Sequence, residues 1–303
     1  MSIRRWTAGV VLALAALAGC APATEPVGET ETASAGPVSR SAPFESGAIR
    51  YFDTGSTDSG HEQRPTLVLI HGWASDSRVW EPQLASLSPR ARLIAVDLPA
   101  HGESDVPEQE LTMDLFAQAT AAAMDDAGVD RAILVGHSNG TPVIRQFYRL
   151  FPERTAALIA VDGPLRYPLS EEQVEGIRPA MSEENYRKTV ANMVEHLPGD
   201  GLDAALRTRI SEMALAQSHK AVLEGFLAAA NPAIWEPDPI TAPLLLVIAP
   251  QPSWNEEYLA FVKELAPGAE IRSLEGASHF LTMERADEFD AIVVEFLESQ
   301  GLL

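Results

Sequence analysis

An α/β architecture, a mostly parallel sheet flanked by helices, is predicted by three observations. From residue 66 onward, short apolar runs alternate with helical patterns, as parallel strands joined by crossover helices do. Two of these runs, Thr66-Leu67-Val68-Leu69-Ile70 and Leu244-Leu245-Leu246-Val247-Ile248, are continuous rather than alternating, as strands covered on both faces are. The third observation is Gly136-His137-Ser138-Asn139-Gly140, which joins the run Ile133-Leu134-Val135 directly to a helical pattern. That is a strand, a tight turn with serine at its apex, and a helix.

In chain order, Ala48–Phe52 reads as the first strand and Gly55–Arg64 as a polar turn region. The strand Thr66–Ile70 precedes a helix over Val79–Leu87, and Leu93–Val96 is a strand ending at Asp97. A helix covers Met113–Ala127. The strand before Ser138 and its helix to Leu150 follow, then a strand Ala157–Val161 ending at Asp162. From Pro164 to about Trp235 the pattern is helical, for instance over Glu183–His196 and Leu202–Ala230, which predicts a helical insertion between two strands. The sheet resumes at Leu244–Ile248. A helix over Trp254–Leu265, a strand Glu270–Leu274 and a last helix Glu284–Leu297 complete the chain. No internal repeat is visible.

The 303 residues suffice for a sizeable core, and the apolar content of 46% fits a globular chain. The formal charge of −21 argues against a nucleic-acid partner. The N-terminus has a different composition. Arg4 and Arg5 precede an apolar run, Thr7–Ala18, too short to span a bilayer comfortably, which closes in Leu17-Ala18-Gly19-Cys20. This resembles the bacterial lipobox, in which the cysteine carries lipid and becomes the first mature residue. The resemblance implies a signal peptide over 1–19, lipidation of Cys20, export, and membrane attachment at the cell envelope. Cys20 is the one cysteine of the chain, so no disulfide is expected. Residues 20–43, rich in Ala, Pro, Glu, Thr, Ser and Gly, read as a disordered tether, leaving 44–303 as the folded domain.

Parallel strands put their carboxyl ends on one side, where ligands bind. Ser138 stands there, Asp162 ends the next strand, and His279 follows the last strand in Gly276-Ala277-Ser278-His279-Phe280. A serine hydroxyl becomes a nucleophile when a base takes its proton, and imidazole does this near neutral pH. A carboxylate orients the ring and stabilises its cation. The oxyanion formed on attack needs donors, for which the backbone N–H groups of Asn139 and of Trp73, in His71-Gly72-Trp73, are candidates. Asp97 precedes a tight turn and is read as holding it, His71 and His137 as loop supports, and His101 as a turn residue. Trp73, Trp235, Trp254 and Phe280 are read equally as pocket or core. His61, His196 and His219 have no partner at ligand spacing, and no phosphate loop is present. No metal or cofactor is therefore expected.

These segments resemble the α/β-hydrolases of the lidded, single-domain kind, over about residues 44–300. His71-Gly72-Trp73 is similar to the oxyanion loop of that family. Asp97-Leu98-Pro99-Ala100-His101-Gly102-Glu103-Ser104 is similar to its Asp-x-Pro-Gly-x-Gly-x-Ser turn, with Ala100 in place of the first glycine. Gly136–Gly140 is similar to the nucleophile elbow, and Ser278-His279-Phe280 to the catalytic-histidine loop. The insertion, about 164–237, stands where the family carries its helical cap. Most members carry the acid after the strand equivalent to Leu244–Ile248, but here that turn is Ala249-Pro250-Gln251-Pro252-Ser253-Trp254-Asn255, without a carboxylate until Glu256. A family variation with the acid one strand earlier points to Asp162, with Glu256 the other candidate.

Serine rather than aspartate at the elbow disfavours epoxide opening and halide displacement. The resemblance implies hydrolysis of small or medium carboxylic esters through an acyl-enzyme. The alternatives are carbon–carbon bond hydrolysis or cofactor-free perhydrolysis on the same fold, and a non-catalytic ligand-binding lipoprotein.

Overall fold

Residues with no free face build the centre of the sheet. The computed structural model describes residues 36–55, 64–166, 170–196 and 202–303. Strands β1 (Val38–Phe44), β2 (Gly47–Asp53), β3 (Thr66–Ile70), β4 (Arg92–Val96), β5 (Ala132–His137), β6 (Thr155–Val161), β7 (Leu244–Ile248) and β8 (Glu270–Ser273) form one sheet in the order β1-β2-β4-β3-β5-β6-β7-β8. β1 pairs antiparallel with β2, and β2 with β4; all other pairings are parallel. Every residue of β5 and β7 is buried. Successive residues serve opposite faces: Val68, Ile70, Leu134 and Leu246 join one apolar layer, and Leu67, Leu69, Val135 and Leu245 the other. The predicted fold class is the observed one.

Helices α1 (Glu81–Ser86), α2 (Met113–Asp126), α3 (Gly140–Leu150), α4 (Glu171–Ile177), α5 (Tyr186–Glu195), α6 (Ala204–Leu215), α7 (His219–Ala230), α8 (Glu256–Leu265), α9 (Leu281–Glu284) and α10 (Ala286–Ser299) complete the described elements, with short 3-10 turns between them. Several predicted helices are divided. Leu202–Ala230 breaks at Ser218, whose hydroxyl accepts from the Ala221 N–H and so starts a new helix. Glu284–Leu297 breaks at Arg285. The helix predicted from Trp254 starts at the Asn255 cap, which leaves Trp254 in the preceding loop.

The reading of residues 20–43 as a tether is corrected at its C-terminal end. Val38–Phe44 is an edge strand whose full length pairs with β2. It escapes sequence analysis because it is exposed at most positions and contains Pro43, which an edge strand tolerates. The signal segment, Cys20 and the tether up to residue 35 lie outside the described residues. No described helix is long and apolar enough to cross a membrane.

Between β6 and β7 the described elements are helical, from α4 to the 3-10 turn Pro232–Trp235. Buried side chains tie this insertion to the sheet. Arg145 of α3 donates to the carbonyl oxygens of Leu165, 2.8 Å away, and Glu236, gripping the chain where it leaves and returns. Gln217, between α6 and α7, donates to Asp76 Oδ2 at 3.0 Å and accepts from the Gly102 N–H at 3.2 Å.

The turn after β4 is held by Asp97, whose carboxylate accepts from the Ser77 and Glu103 N–H groups at 2.8 and 2.9 Å. Ala100, in this turn, has φ of +68°. An L-residue there costs about 1–2 kcal/mol, a strain glycine avoids. Ala100→Gly is therefore expected to raise Tm by about 1–3 °C by calorimetry, since part of the gain is lost to chain entropy. A lower Tm would show that the buried methyl outweighs the strain.

Candidate active site

The site is built where β3, β5 and β6 end side by side. Ser138 follows β5 with φ of +52°, and Asp162 follows β6 with φ of +46°. Non-glycine residues are rare in this region, and their strain is retained where the surroundings enforce it. Here the Ser138 N–H donates to the Val161 carbonyl and the Asp162 N–H to the Val247 carbonyl, each at 2.8 Å. The backbones are too close for side chains. A Cβ on Gly140 would collide with the Ile70 carbonyl oxygen, and one on Gly163 with Thr141 Oγ1 and the Ser138 carbonyl oxygen. The loop after β3 lies on the elbow, since a Cβ on Gly72 would stand 3.0 Å from Ser138 Cβ.

His279 Nδ1 lies 2.6 Å from Asp162 Oδ2. The carboxylate can only accept, so Nδ1 carries the proton and Nε2 of the neutral ring is left as an acceptor. Asp162 Oδ1 accepts from the Ala249 N–H at 3.0 Å and from Trp254 Nε1 at 2.8 Å. The Asp162 side chain is 1% exposed and that of His279 25%, so the acid is sealed while the ring reaches the site. Glu256, the other candidate, opens α8 and is exposed. The structure thus brings Asp162, not Glu256, to the histidine.

Ser138 and His279 line one cavity of about 130 Å³ with Trp73, Ser75 and Phe280. Gly72, Ala74 and His137 line it as well, and an apolar wall comes from the insertion. Val190, Met193 and Val194 share one face of α5, and Ile210 and Ala214 one face of α6. Larger openings, about 640 Å³ beside Thr112 and Asn231 and about 220 Å³ at the β1–β2 hairpin, contain neither Ser138 nor His279. α7 is tied to both loops at the serine, because Trp73 Nε1 donates to the Val222 carbonyl at 2.6 Å and Asn139 Nδ2 to that of Gly225 at 3.2 Å. Trp235 packs instead against the core.

The neighbouring histidines are structural in their bonding. His71 Nε2 accepts from the Leu98 N–H at 3.1 Å, so its Nδ1 donates to the Gly72 carbonyl at 2.8 Å. His137 Nε2 donates to the His279 carbonyl at 2.7 Å and so holds the histidine loop. The Ser278 N–H in that loop donates to Glu284 at 2.7 Å. Burial drives the pKa of His101 and of His137 down to about 3, with a neighbouring histidine adding to each effect, and lowers that of His71. Among the described residues no cluster of three or more His, Cys, Asp or Glu could hold a metal.

Sequence reasoning missed the roles of Trp254, Glu284, Gln217 and Arg145. Glu284 stands six residues from Ser278. Trp254, 92 positions from Asp162, is connected to it only through the fold.

The model of the alpha/beta hydrolase fold family matches residues 65–209, which include Ser138 and Asp162. The carboxylesterase YbfK of Bacillus subtilis is 25% identical over 277 residues, which are 84% of this chain and 89% of that protein. An esterase structure from Thermogutta terrifontis is 25% identical with a TM-score of 0.71, covering 88% of this chain and 99% of that one. The enol-lactonase structure from Burkholderia xenovorans has a TM-score of 0.75 at 22% identity, over 86% and 100% of the two chains, a likeness of fold. Together these likenesses show the α/β-hydrolase fold.

The three lowered histidines predict acid sensitivity. Each is neutral when folded and gains a proton when unfolded below its ordinary pKa of 6.5. Their contribution is complete above pH 6.5 and is lost as pH falls toward about 3 for His101 and His137. The loss is up to about 1.4 kcal/mol per pH unit for each ring. Asp97, pushed up by burial, works in the opposite sense at lower pH. Urea unfolding at pH 7.5 and 5 should therefore show a large drop that His101→Gln makes smaller. An unchanged drop in the variant would rule out His101 as a source.

Proposed function

We propose that this chain with the α/β-hydrolase fold is a serine hydrolase cleaving carboxylic esters of short acyl groups. The observation carrying this reading is the Asp162–His279 contact at the wall of a cavity that also contains Ser138. His279 Nε2 takes the Ser138 proton while Oγ bonds to the ester carbonyl carbon. The N–H groups of Trp73 and Asn139 receive the oxyanion, each worth about 3 kcal/mol of barrier. As the intermediate collapses, the C–O bond to the alcohol breaks and the alcohol leaves with the proton from Nε2. Water, deprotonated by the same nitrogen, then releases the acid and restores Ser138. Asp162 orients the ring and stabilises its cation throughout. The small apolar cavity suits a short acyl chain, and no cofactor enters the scheme.

The Arg4–Cys20 segment supports an envelope enzyme lipidated at Cys20. Buried acyl chains contribute about 0.8 kcal/mol per CH₂, so several would hold it at the membrane. Growth with an alkyne fatty acid should label the wild type but not Cys20→Ser; equal labelling of both would exclude Cys20 as the lipid site.

A fluorophosphonate is expected to modify Ser138, as peptide mass mapping would show. With nitrophenyl esters, acetate and butyrate should be cleaved faster than palmitate. Asp162→Asn should lower kcat by about 10³- to 10⁴-fold. An unlabelled, folded wild type would point to a binding protein. Turnover confined to diketones or to peracid formation would replace the ester reading with one of the alternatives on this fold.

A further inference from the structure

The loop after β7 has no carboxylate between Ala249 and Asn255, yet it meets the acid of the site. It presents two N–H groups, those of Ala249 and the Trp254 indole, to Asp162 Oδ1 at 3.0 and 2.8 Å. The other oxygen faces His279 at 2.6 Å. With donors on both oxygens, the carboxylate plane is fixed, and rotation about its last bond would break contacts on both sides.

The indole is itself held. Its backbone N–H closes a turn on the Gln251 carbonyl at 3.0 Å. Its ring packs on Tyr258, with centroids 4.8 Å apart. The Tyr258 hydroxyl accepts from the Leu165 N–H at 2.8 Å. Residues 162–165 and 254–258 are thus tied at both ends. The side-chain chemistry suits this place. Indole is a donor only, so it cannot take a proton from histidine or compete with the carboxylate as an acceptor. It is also uncharged, so it leaves the negative charge of Asp162 to the histidine, whereas arginine or lysine there would draw on it.

We propose that Trp254 is a positioning residue of the reaction, whose indole N–H holds Asp162 in the plane that aligns His279. The proposal rests on the serine-hydrolase reading. It assigns this loop an active part in the site through a residue outside the lining of the Ser138 cavity.

The test replaces a single group. Benzothienylalanine, incorporated at position 254 by codon suppression, has nearly the shape of tryptophan but sulfur in place of N–H. With nitrophenyl acetate, kcat is expected to fall about tenfold, with KM within about twofold because the cavity wall is unchanged. Fluorophosphonate labelling of Ser138 should slow by a similar factor, while Tm falls by only a few degrees, about the cost of one buried hydrogen bond. In Asp162→Asn protein the same replacement should leave the labelling rate unaltered, because Trp254 acts through that carboxylate. Wild-type kcat and labelling in the benzothienyl protein would overturn the proposal, as would an equal loss in the Asp162→Asn background. An unlabelled wild-type protein is a different failure, that of the hydrolase reading, and the proposal would fall with it.

Discussion

Close approach of backbone at the carboxyl ends of β3, β5 and β6 is the constraint on which the rest of the site depends. Gly140 passes against the carbonyl of Ile70, and Gly163 against that of Ser138. Only a chain without side chains at these crossings can bring three strand ends so near. The crowding also keeps Ser138 and Asp162 at positive φ, where relaxed L-residues seldom stay. The strain is local, but the bonds that enforce it belong to the sheet, namely those to the Val161 and Val247 carbonyls. A rigid, buried sheet holds a half-buried serine and a sealed carboxylate at the ends of neighbouring strands.

Around this crossing the polar groups are arranged for neutrality as well as for position. His71, His101 and His137 are buried uncharged, each with a backbone carbonyl beside one ring nitrogen. His279 differs in its partner, a carboxylate, and in its exposure. In the proposed reaction the ring that carries a proton back and forth needs a counter-charge and access; a ring that braces a loop needs neither. The same residue type is therefore divided between two tasks by its surroundings.

The helical insertion is secured to this centre at several separate points. Arg145 holds its two ends, Gln217 its middle, and Trp73 and Asn139 reach α7 from the loops that flank Ser138. The cavity takes its apolar wall from α5 and α6. The dimensions of the cavity are thus set by segments distant in sequence from Ser138, while its reactive edge belongs to the sheet. A change of substrate size could come from α5 or α6 without disturbing the strand ends.

Seven of the eight strands, their mostly parallel pairing, the turn at Ser138, Asp162 at the end of a strand and His279 in the loop after the last strand are legible in the sequence. These are local matters: apolar runs mark buried strands, and glycines mark turns. The sequence also left two acids open, because nothing local separates Asp162 from Glu256. In the fold the end of β6 faces the histidine loop, while Glu256 opens a helix toward solvent. Tertiary structure decided that Val38–Phe44 is a strand, whose exposed, proline-bearing sequence becomes regular only by pairing with β2. It gave Trp254 and Arg145 partners 92 and 91 residues away. Such contacts have no period and no spacing; they arise when strands far apart in the chain become neighbours in the sheet.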